Sequence, residues 1–211
     1  MARPRESIDA SLREFLAALS SAGSAHGAVS VAAVAGGLGT SLLLMVAAHP
    51  KTRSDSASDR TALISASTAL ADVQEQLLET IETETVVKIY AARNMPQGSA
   101  TQRTEREAAL QLSLRAAADV PLEVIRLCAL GLQHARTVAK HCTRAAAAEV
   151  ELGVTLLRAG FSGARSNVEM RLSSLTDALY TTAILEETAR LSEEVTTAVN
   201  AAEASVRVPP A

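Results

Sequence analysis

The residue whose position most clearly suggests chemistry is Glu84. A stripe of apolar side chains repeats every seven residues along a long predicted helix, at Leu63, Leu70 and Leu77. The same stripe continues to Glu84, so the pattern predicts a carboxylate in partly apolar surroundings. Burial raises the pKa of a carboxyl group toward the range in which it can transfer a proton. The alternative is a structural ion pair with an arginine of another helix, such as Arg115 or Arg165.

A second carboxylate, Glu82, points one face away on the same predicted helix and is expected to be a solvated charge. Metal chemistry has no support, because no Cys-x-x-Cys or His-x-x-x-His spacing occurs, so we predict no metal site. His141 and Cys142 are adjacent, which is poor spacing for a shared ion. Cys128 and Cys142 are the two cysteines, too few for a disulfide framework, and we expect small buried residues in a reducing compartment.

The segment that must organise these side chains is residues 27–48, which contain no charged residue and include Gly36, Gly37 and Gly39. Glycine inside a helix costs about 1 kcal/mol relative to alanine, so this run needs a compensating reason. One reason is close packing of neighbouring helices; the other is a membrane span, since these residues reach roughly 33 Å as a helix. We favour a buried central helix of a soluble protein, ending near Pro50.

The rest of the chain predicts amphipathic helices and no strand. The predicted helices cover residues 7–20, 58–94, 104–119, 121–141, 145–172 and 176–199. Thr104 with Glu107 gives a capping-box pattern, and Pro121 suits the first turn of the next helix. The tail after Ala202 is expected to fray. The fold class is therefore all-α: a single domain over residues 1–211, forming one bundle of about seven helices around a buried small-residue central helix.

Composition narrows the classes of function. A net charge of −3 gives no reason to expect a nucleic-acid partner. Acidic residues, Glu6, Asp9 and Glu14, precede the apolar run, which is also too long for the core of a signal peptide. We therefore expect a cytoplasmic protein that neither carries a targeting segment nor binds a membrane.

Three segments resemble the formiminotetrahydrofolate cyclodeaminase and methenyltetrahydrofolate cyclohydrolase family. Residues 30–46 are similar to its SVAA…GALG…MV run, residues 120–124 to its VPLEV helix start, and residues 167–168 to its LNV segment. The likeness extends over residues 8–191. It implies an all-helical homodimer that acts on the carbon bridging N5 and N10 of a reduced folate. It also implies no cofactor or metal, the tetrahydrofolate derivative being the substrate.

The resemblance also implies site residues. An aspartate of the family's long helix falls at Glu84 in one register and at Glu82 in another, which implies a catalytic carboxylate that stabilises cationic character and moves a proton. The glycine-rich turn before the central helix retains Gly27 and Ser30 as substrate-binding residues. His26, in the same turn, is a candidate donor to a pterin or a carboxylate, or else a surface histidine.

Three further positions complete the implied binding site. Lys51 and Arg53 follow the central helix, where they either attract the glutamate tail of a folate or only complement the carbonyl end of that helix. Glu149 stands where the family has an aspartate in a later polar segment.

Two functions therefore remain open. Gly27, Ser30 and Glu84 favour a divergent folate-dependent enzyme of the cyclohydrolase or cyclodeaminase type, which is the first hypothesis. Ala28 and Val29 replace glycines of the family, and alanines fill residues 145–148. These replacements favour a non-catalytic helical homologue that binds a partner or assembles with one.

Overall fold

The protein is an all-α bundle in a computed structural model that describes residues 12–21, 27–49, 56–80, 91–96 and 98–207. The α-helices are α1 (Leu12–Leu19), α2 (Ala28–Ala48), α3 (Ala57–Glu79), α4 (Ala100–His141), α5 (Ala147–Leu172) and α6 (Ala178–Arg207). A 3₁₀ turn, Arg144–Ala146, joins α4 to α5. No strand occurs within the described ranges. The predicted all-α class is confirmed.

Helix α2 is the centre of the bundle and packs against α3, α4 and, most extensively, α5. Its glycines allow backbones to touch. A Cβ atom added to Gly39 would lie 2.6 Å from the carbonyl oxygen of Gly153, and one added to Gly160 would lie 2.7 Å from the carbonyl oxygen of Ala32. Real Cβ atoms do not approach carbonyl oxygens so closely. Close packing is therefore the reason for the glycine-rich sequence of α2, as predicted.

One face of α2 is not covered by the described residues. Val31 is 44% exposed, Leu38 53% and Met45 54%. By length and composition, α2 is the single described helix that could cross a membrane, and 44% of its apolar window is buried inside the protein. A helix that is apolar all round normally has all of its faces covered.

The helix directions follow from which residues meet. Gly36 of α2 lies against Cys128 of α4, and Thr40 lies against Gly131, so α2 and α4 run parallel. Gly39 meets Gly153, whereas Ala32 meets Gly160, so α5 runs antiparallel to α2. In α3, Gln74 donates to Ser41 at 2.5 Å while the later Leu77 reaches Gly36, so α3 is also antiparallel to α2.

Helix α6 runs parallel to α4 along a seam of polar pairs. Each pair joins residues 61 positions apart, and successive pairs follow every seven residues, at Asp119–Tyr180, Arg126–Glu187 and Gln133–Glu194. A seven-residue repeat keeps one side of each helix facing its neighbour. The seam therefore fixes the register of α6 on α4.

The prediction of two helices over residues 104–141 is wrong, because α4 is one continuous helix with Pro121 inside it. Proline removes one backbone hydrogen bond from a helix interior. Pro121 is buried, and buried residues flank it on both sides, so tertiary packing compensates for the lost bond.

The capping box of α4 is also at a different place from the predicted one: Ser99 and Gln102 exchange hydrogen bonds of 3.1 and 3.0 Å. Thr104 instead donates to the Ala100 carbonyl oxygen at 3.2 Å.

The end of the last helix also differs from the prediction. Helix α6 continues to Arg207 instead of fraying after Ala202, because Ala202 and Val206 are buried in the core. The predicted 58–94 helix is described as α3 up to Glu79, and its continuation through residues 81–90 lies outside the described residues. The predicted break after residue 141 is confirmed by the turn that precedes α5.

Candidate functional site

Only part of the predicted site lies within the described residues. Gly27, Ser30 and Glu149 are placed by the structure. The others, Glu84, Glu82, His26, Lys51 and Arg53, lie outside the described residues. The apolar stripe that leads to Glu84 is confirmed as far as it is described, because its leucines at 63, 70 and 77 are all buried.

The three family-like segments meet at one end of the bundle. Gly36 is level with Cys128 on two parallel helices, so Ser30 is level with Leu122 in the VPLEV-like segment. On α5, Gly163 packs on Ala32 at 3.5 Å, and Asn167 donates to the Gly163 carbonyl oxygen at 3.0 Å. This end comprises the start of α2, the middle of α4 and the later part of α5.

The C-terminal end of α3 reaches the same end of the bundle. Leu78 approaches the position of a Cβ atom on Gly37 at 4.0 Å, and the antiparallel direction carries Glu79 and Thr80 further toward Ser30. Glu82 and Glu84 come two and four residues after Thr80 in the sequence. The described part of α3 therefore ends where the family-like segments gather.

The N-terminus of α2 lies at this end and is not covered by the described residues. Gly27 occupies the N-cap in an extended conformation, has no side chain to bond the first N–H groups, and has no heavy atom of the described residues within 4 Å of where its Cβ would lie. The first helical hydrogen bond runs from the Val31 N–H to the Gly27 carbonyl oxygen at 3.1 Å. Among the described residues, the N–H groups before Val31 have no helical acceptor and can donate to an anionic or carbonyl oxygen at the positive end of the helix.

A shallow depression of about 360 Å³ lies between the end of α3 and the middle of α4. Its lining is Glu79, Thr80, Asp119, Val120, Glu123 and Arg126. It contains three carboxylates and one guanidinium, so its net charge is negative. Sequence reasoning missed these carboxylates. The one available signal was that Glu123 belongs to the VPLEV-like segment.

The charged groups of the depression are held by the α4–α6 seam. Arg126 binds both oxygens of Glu187, at 2.7 and 2.8 Å, and one oxygen of Glu123 at 3.3 Å. The bond to Glu187 raises the pKa of Arg126, and in return Arg126 lowers the pKa of the Glu187 carboxyl. Since Glu187 already neutralises Arg126, Asp119 and Glu79 keep the depression acidic.

Tyr180 of α6 binds Asp119, one of the carboxylates that line the depression. Its hydroxyl donates to Asp119 at 2.5 Å, and the guanidinium of Arg115 lies 4.2 Å from the centre of its ring. Burial, reinforced by the bond to Asp119, raises the pKa of Tyr180. Arg115 also pairs with Asp177 at 3.5 Å. This arginine, one of the two alternative partners of Glu84, therefore already has a carboxylate partner.

Glu149 does not share this end of the bundle. It precedes Gly153 by one turn of α5, which places it level with Leu43. Along α2, Ser30 and Leu43 are about 20 Å apart. The Glu149 Oε2 atom is buried and has no hydrogen-bond partner among the described residues. Within one chain, the structure brings Gly27 and Ser30 together and separates Glu149 from them.

The cysteines and the described histidines form no comparable site. Cys128 and Cys142 are free and buried, as predicted, and burial raises the pKa of the Cys128 thiol to about 12. The buried His141 lies 3.9 Å from Asp59, which Lys140 approaches at 2.9 Å. Over the ranges that the structure describes, no three histidine, cysteine or acidic side chains are grouped so as to hold a metal.

Comparison with known proteins identifies the family. The sequence profile described as formiminotransferase-cyclodeaminase matches residues 11–190. The fold is similar to the crystal structure of formiminotetrahydrofolate cyclodeaminase from Thermotoga maritima, with a TM-score of 0.82 and 20% sequence identity over 95% of this chain and 97% of that one. No curated protein sequence matches the chain. Because the profile spans most of the sequence, this chain belongs to the formiminotransferase-cyclodeaminase family.

Proposed function

We propose that the chain is a folate-dependent one-carbon enzyme of the methenyltetrahydrofolate cyclohydrolase or formiminotetrahydrofolate cyclodeaminase type. The proposal rests on the arrangement of groups at one end of the bundle, in a chain that belongs to this family. There, an acidic depression and the N-terminus of α2, which the described residues leave uncovered, lie near the C-terminal end of α3. In the sequence, Glu82 and Glu84 follow shortly after that end.

The chemistry of both reactions suits an acidic surface. The cyclohydrolase adds water to a methenyl cation, and the cyclodeaminase closes the ring and expels ammonia, so each needs a carboxylate that stabilises cationic character and moves a proton. We assign that role to Glu84, with Glu82 as the second candidate. Asp119 and Glu79 add negative potential to the same end. Neither reaction requires a metal or a further cofactor.

The substrate would be bound mainly by the start of α2. The N–H groups after Gly27 can donate to a carbonyl or carboxylate oxygen of the folate, and Ser30 lies one turn further along the helix. We include His26, Lys51 and Arg53 as binding residues on the same proposal. A single ligand in contact with both Ser30 and Glu149 would have to extend about 20 Å.

The enzymatic proposal is tested by measuring the loss of methenyltetrahydrofolate absorbance and, separately, the release of ammonia from formiminotetrahydrofolate. Glu84→Gln should lower the rate by about two orders of magnitude or more, because it removes a proton-transferring group. Glu105→Gln is the matched control, since Glu105 is an exposed carboxylate elsewhere on α4. A rate equal to buffer in both assays would contradict the enzymatic proposal.

The second candidate is a non-catalytic homologue that binds a partner. The observation in its favour is the replacement of family glycines by Ala28 and Val29. Val29, however, packs against the core, and Ala28 is exposed, so neither fills the space beside Gly27. Titration with a reduced folate separates the two: absence of both turnover and binding would favour the non-catalytic homologue.

We also propose that the chain forms a homodimer through the outer face of α2. Val31, Leu38 and Met45 are spaced by seven residues, and Leu38 lies midway along the helix. Two antiparallel copies of α2 would place Leu38 on the twofold axis and each Val31 opposite the Met45 of the other copy. The face carries no charge that would oppose this contact. The buried free cysteines suit a cytoplasmic location.

A further inference from the structure

A groove between α5 and α6 has arginines along one side and an apolar floor. Its volume is about 330 Å³. Arg158 and Arg165 line it from α5, and the floor contains Phe161, Val195 and Val199, each no more than 6% exposed. None of these residues lines the acidic depression or the N-terminus of α2, to which we assign folate chemistry, although Arg165 lies between Gly163 and Asn167 along α5. The groove therefore needs an explanation of its own.

The two arginines place two separate positive charges along the α5 side of the groove. They are seven residues apart on α5, so they lie on the same side of the helix with Cα atoms about 10.5 Å apart along its axis. Arg165 contacts Glu169 at 3.6 Å, but both side chains are about half exposed, and such pairs open readily. Arg158 has no ion-pair partner among the described residues. No carboxylate is part of the lining.

Neutral polar groups complete the walls. Ser162 lies between the two arginines on α5, and Asn200 lies on α6. Within the described part of the chain, neither side chain has a hydrogen-bond partner, so both can donate to a ligand. Ser192 and Thr196 instead donate to backbone carbonyl oxygens, at 2.7 and 2.8 Å. The free donors are thus on the arginines, Ser162 and Asn200, an arrangement that suits an anion.

We propose that this groove binds a linear organic dicarboxylate. Each carboxylate pairs with one guanidinium, which offers two parallel N–H donors to its oxygens, and an apolar middle lies on Phe161 and Val195. An extended eight-carbon chain separates its terminal carboxylates by about 9 Å, close to the spacing of Arg158 and Arg165. This site goes beyond the proposed reaction and does not depend on it.

The test is calorimetric titration of the full chain with suberate, an eight-carbon dicarboxylate. We expect saturable binding that Arg158→Gln and Arg165→Gln each weaken by at least about tenfold, because each variant removes one charge-assisted contact. The matched control is Arg136→Gln. Arg136 of α4 lines a groove between α4 and α6, but Glu193 and Glu194 line that groove beside it. This variant should bind suberate as the wild type does.

Two further ligands test the shape of the site. Octanoate has the same chain length with a single charge, and inorganic phosphate has its charges at one point. Both should bind at least about tenfold more weakly than suberate. The proposal is overturned if suberate fails to bind at about 20 mM, if octanoate or phosphate equals it, or if both groove variants bind it normally. Circular dichroism confirms that these exposed substitutions leave the helices intact.

Discussion

Gly160 shows at the residue scale why α2 and α5 can pack so closely. A Cβ atom there would meet the Ala32 carbonyl oxygen at 2.7 Å and the Gly36 nitrogen at 3.1 Å, both backbone atoms that cannot rotate away. We expect Gly160→Ala to lower the free energy of unfolding by about 1–3 kcal/mol, because the clash exceeds the gain in helix propensity. Urea denaturation followed by circular dichroism measures the change.

Gly163 is the matched control, on the same helix one turn away. A Cβ atom on Gly163 would lie 3.5 Å from the Ala32 Cβ, an ordinary van der Waals contact. Gly163→Ala should therefore be neutral or stabilising by up to about 1 kcal/mol. Equal destabilisation by both substitutions would contradict the backbone-contact explanation.

Tyr180 gives a pH-dependent prediction at the same scale. Its pKa is raised in the folded state by burial and by the bond to Asp119. The unfolded chain releases the tyrosine proton at its ordinary pKa near 10, so the stabilisation is complete below that pH and declines as the pH rises above it. Between about pH 9.5 and 11, the wild type should therefore lose stability more steeply than Tyr180→Phe.

The comparison needs stability measured as a function of pH for both proteins. Tyr180→Phe should also cost about 1 kcal/mol at neutral pH, because it removes one hydrogen bond and leaves Asp119 with one partner fewer. Parallel pH profiles would show that Tyr180 does not titrate differently in the folded chain.

At the scale of elements, the start of α4 distinguishes two capping patterns that the sequence offers. Both Ser99-x-x-Gln102 and Thr104-x-x-Glu107 fit the capping box, and the structure uses the first. Ser99→Ala should lower the free energy of unfolding by about 1 kcal/mol. Thr104→Ala should leave it within about 0.5 kcal/mol, since Thr104 is exposed and bonds only one turn back. The opposite order would favour a helix that begins at residue 104.

These elements also show what the sequence could predict. The apolar repeat of α3 and the uncharged, glycine-rich α2 predicted buried helices, because burial follows helical periodicity directly. The continuity of α4 through Pro121 was not predictable, since it depends on the packing around the proline. The acidic depression was missed for the same reason: Glu79 and Asp119 belong to different helices, and only the packing of α3 against α4 brings them together.

At the scale of the whole molecule, the resemblance in sequence predicted the family and the all-α class. It could not place Glu149 relative to Ser30, because that distance depends on the antiparallel direction of α5. The carboxylates to which we assign the reaction, Glu82 and Glu84, lie outside the described residues. Assays must therefore decide between hydrolysis, ammonia release and partner binding.

Self-association is the last prediction and concerns the exposed side of α2. Leu38→Glu would place a negative charge on the proposed twofold axis, directly opposite the same charge of the other copy. The Kd of the dimer should therefore rise by at least about tenfold. Light scattering coupled to size-exclusion chromatography measures the mass of both proteins. Leu179→Glu is the control, because Leu179 is 87% exposed at the start of α6 and lies away from α2; it should leave the dimer intact.

The same experiment separates the other ways in which this face can be covered. A wild-type chain that is monomeric at about 0.1 mM would contradict the dimer, since interfaces of stable dimers bury well over about 1,000 Å² and hold at lower concentrations. Flotation with lipid vesicles then tests a membrane, for which α2 has the length and apolar composition. A dimer that survives Leu38→Glu would place the interface elsewhere, and the uncharged face of α2 would then need a different partner. If the dimer dissociates on Leu38→Glu and not on Leu179→Glu, the partner copy covers the outer face of α2. That would explain why α2 is apolar on every side although the other described helices cover only part of its surface.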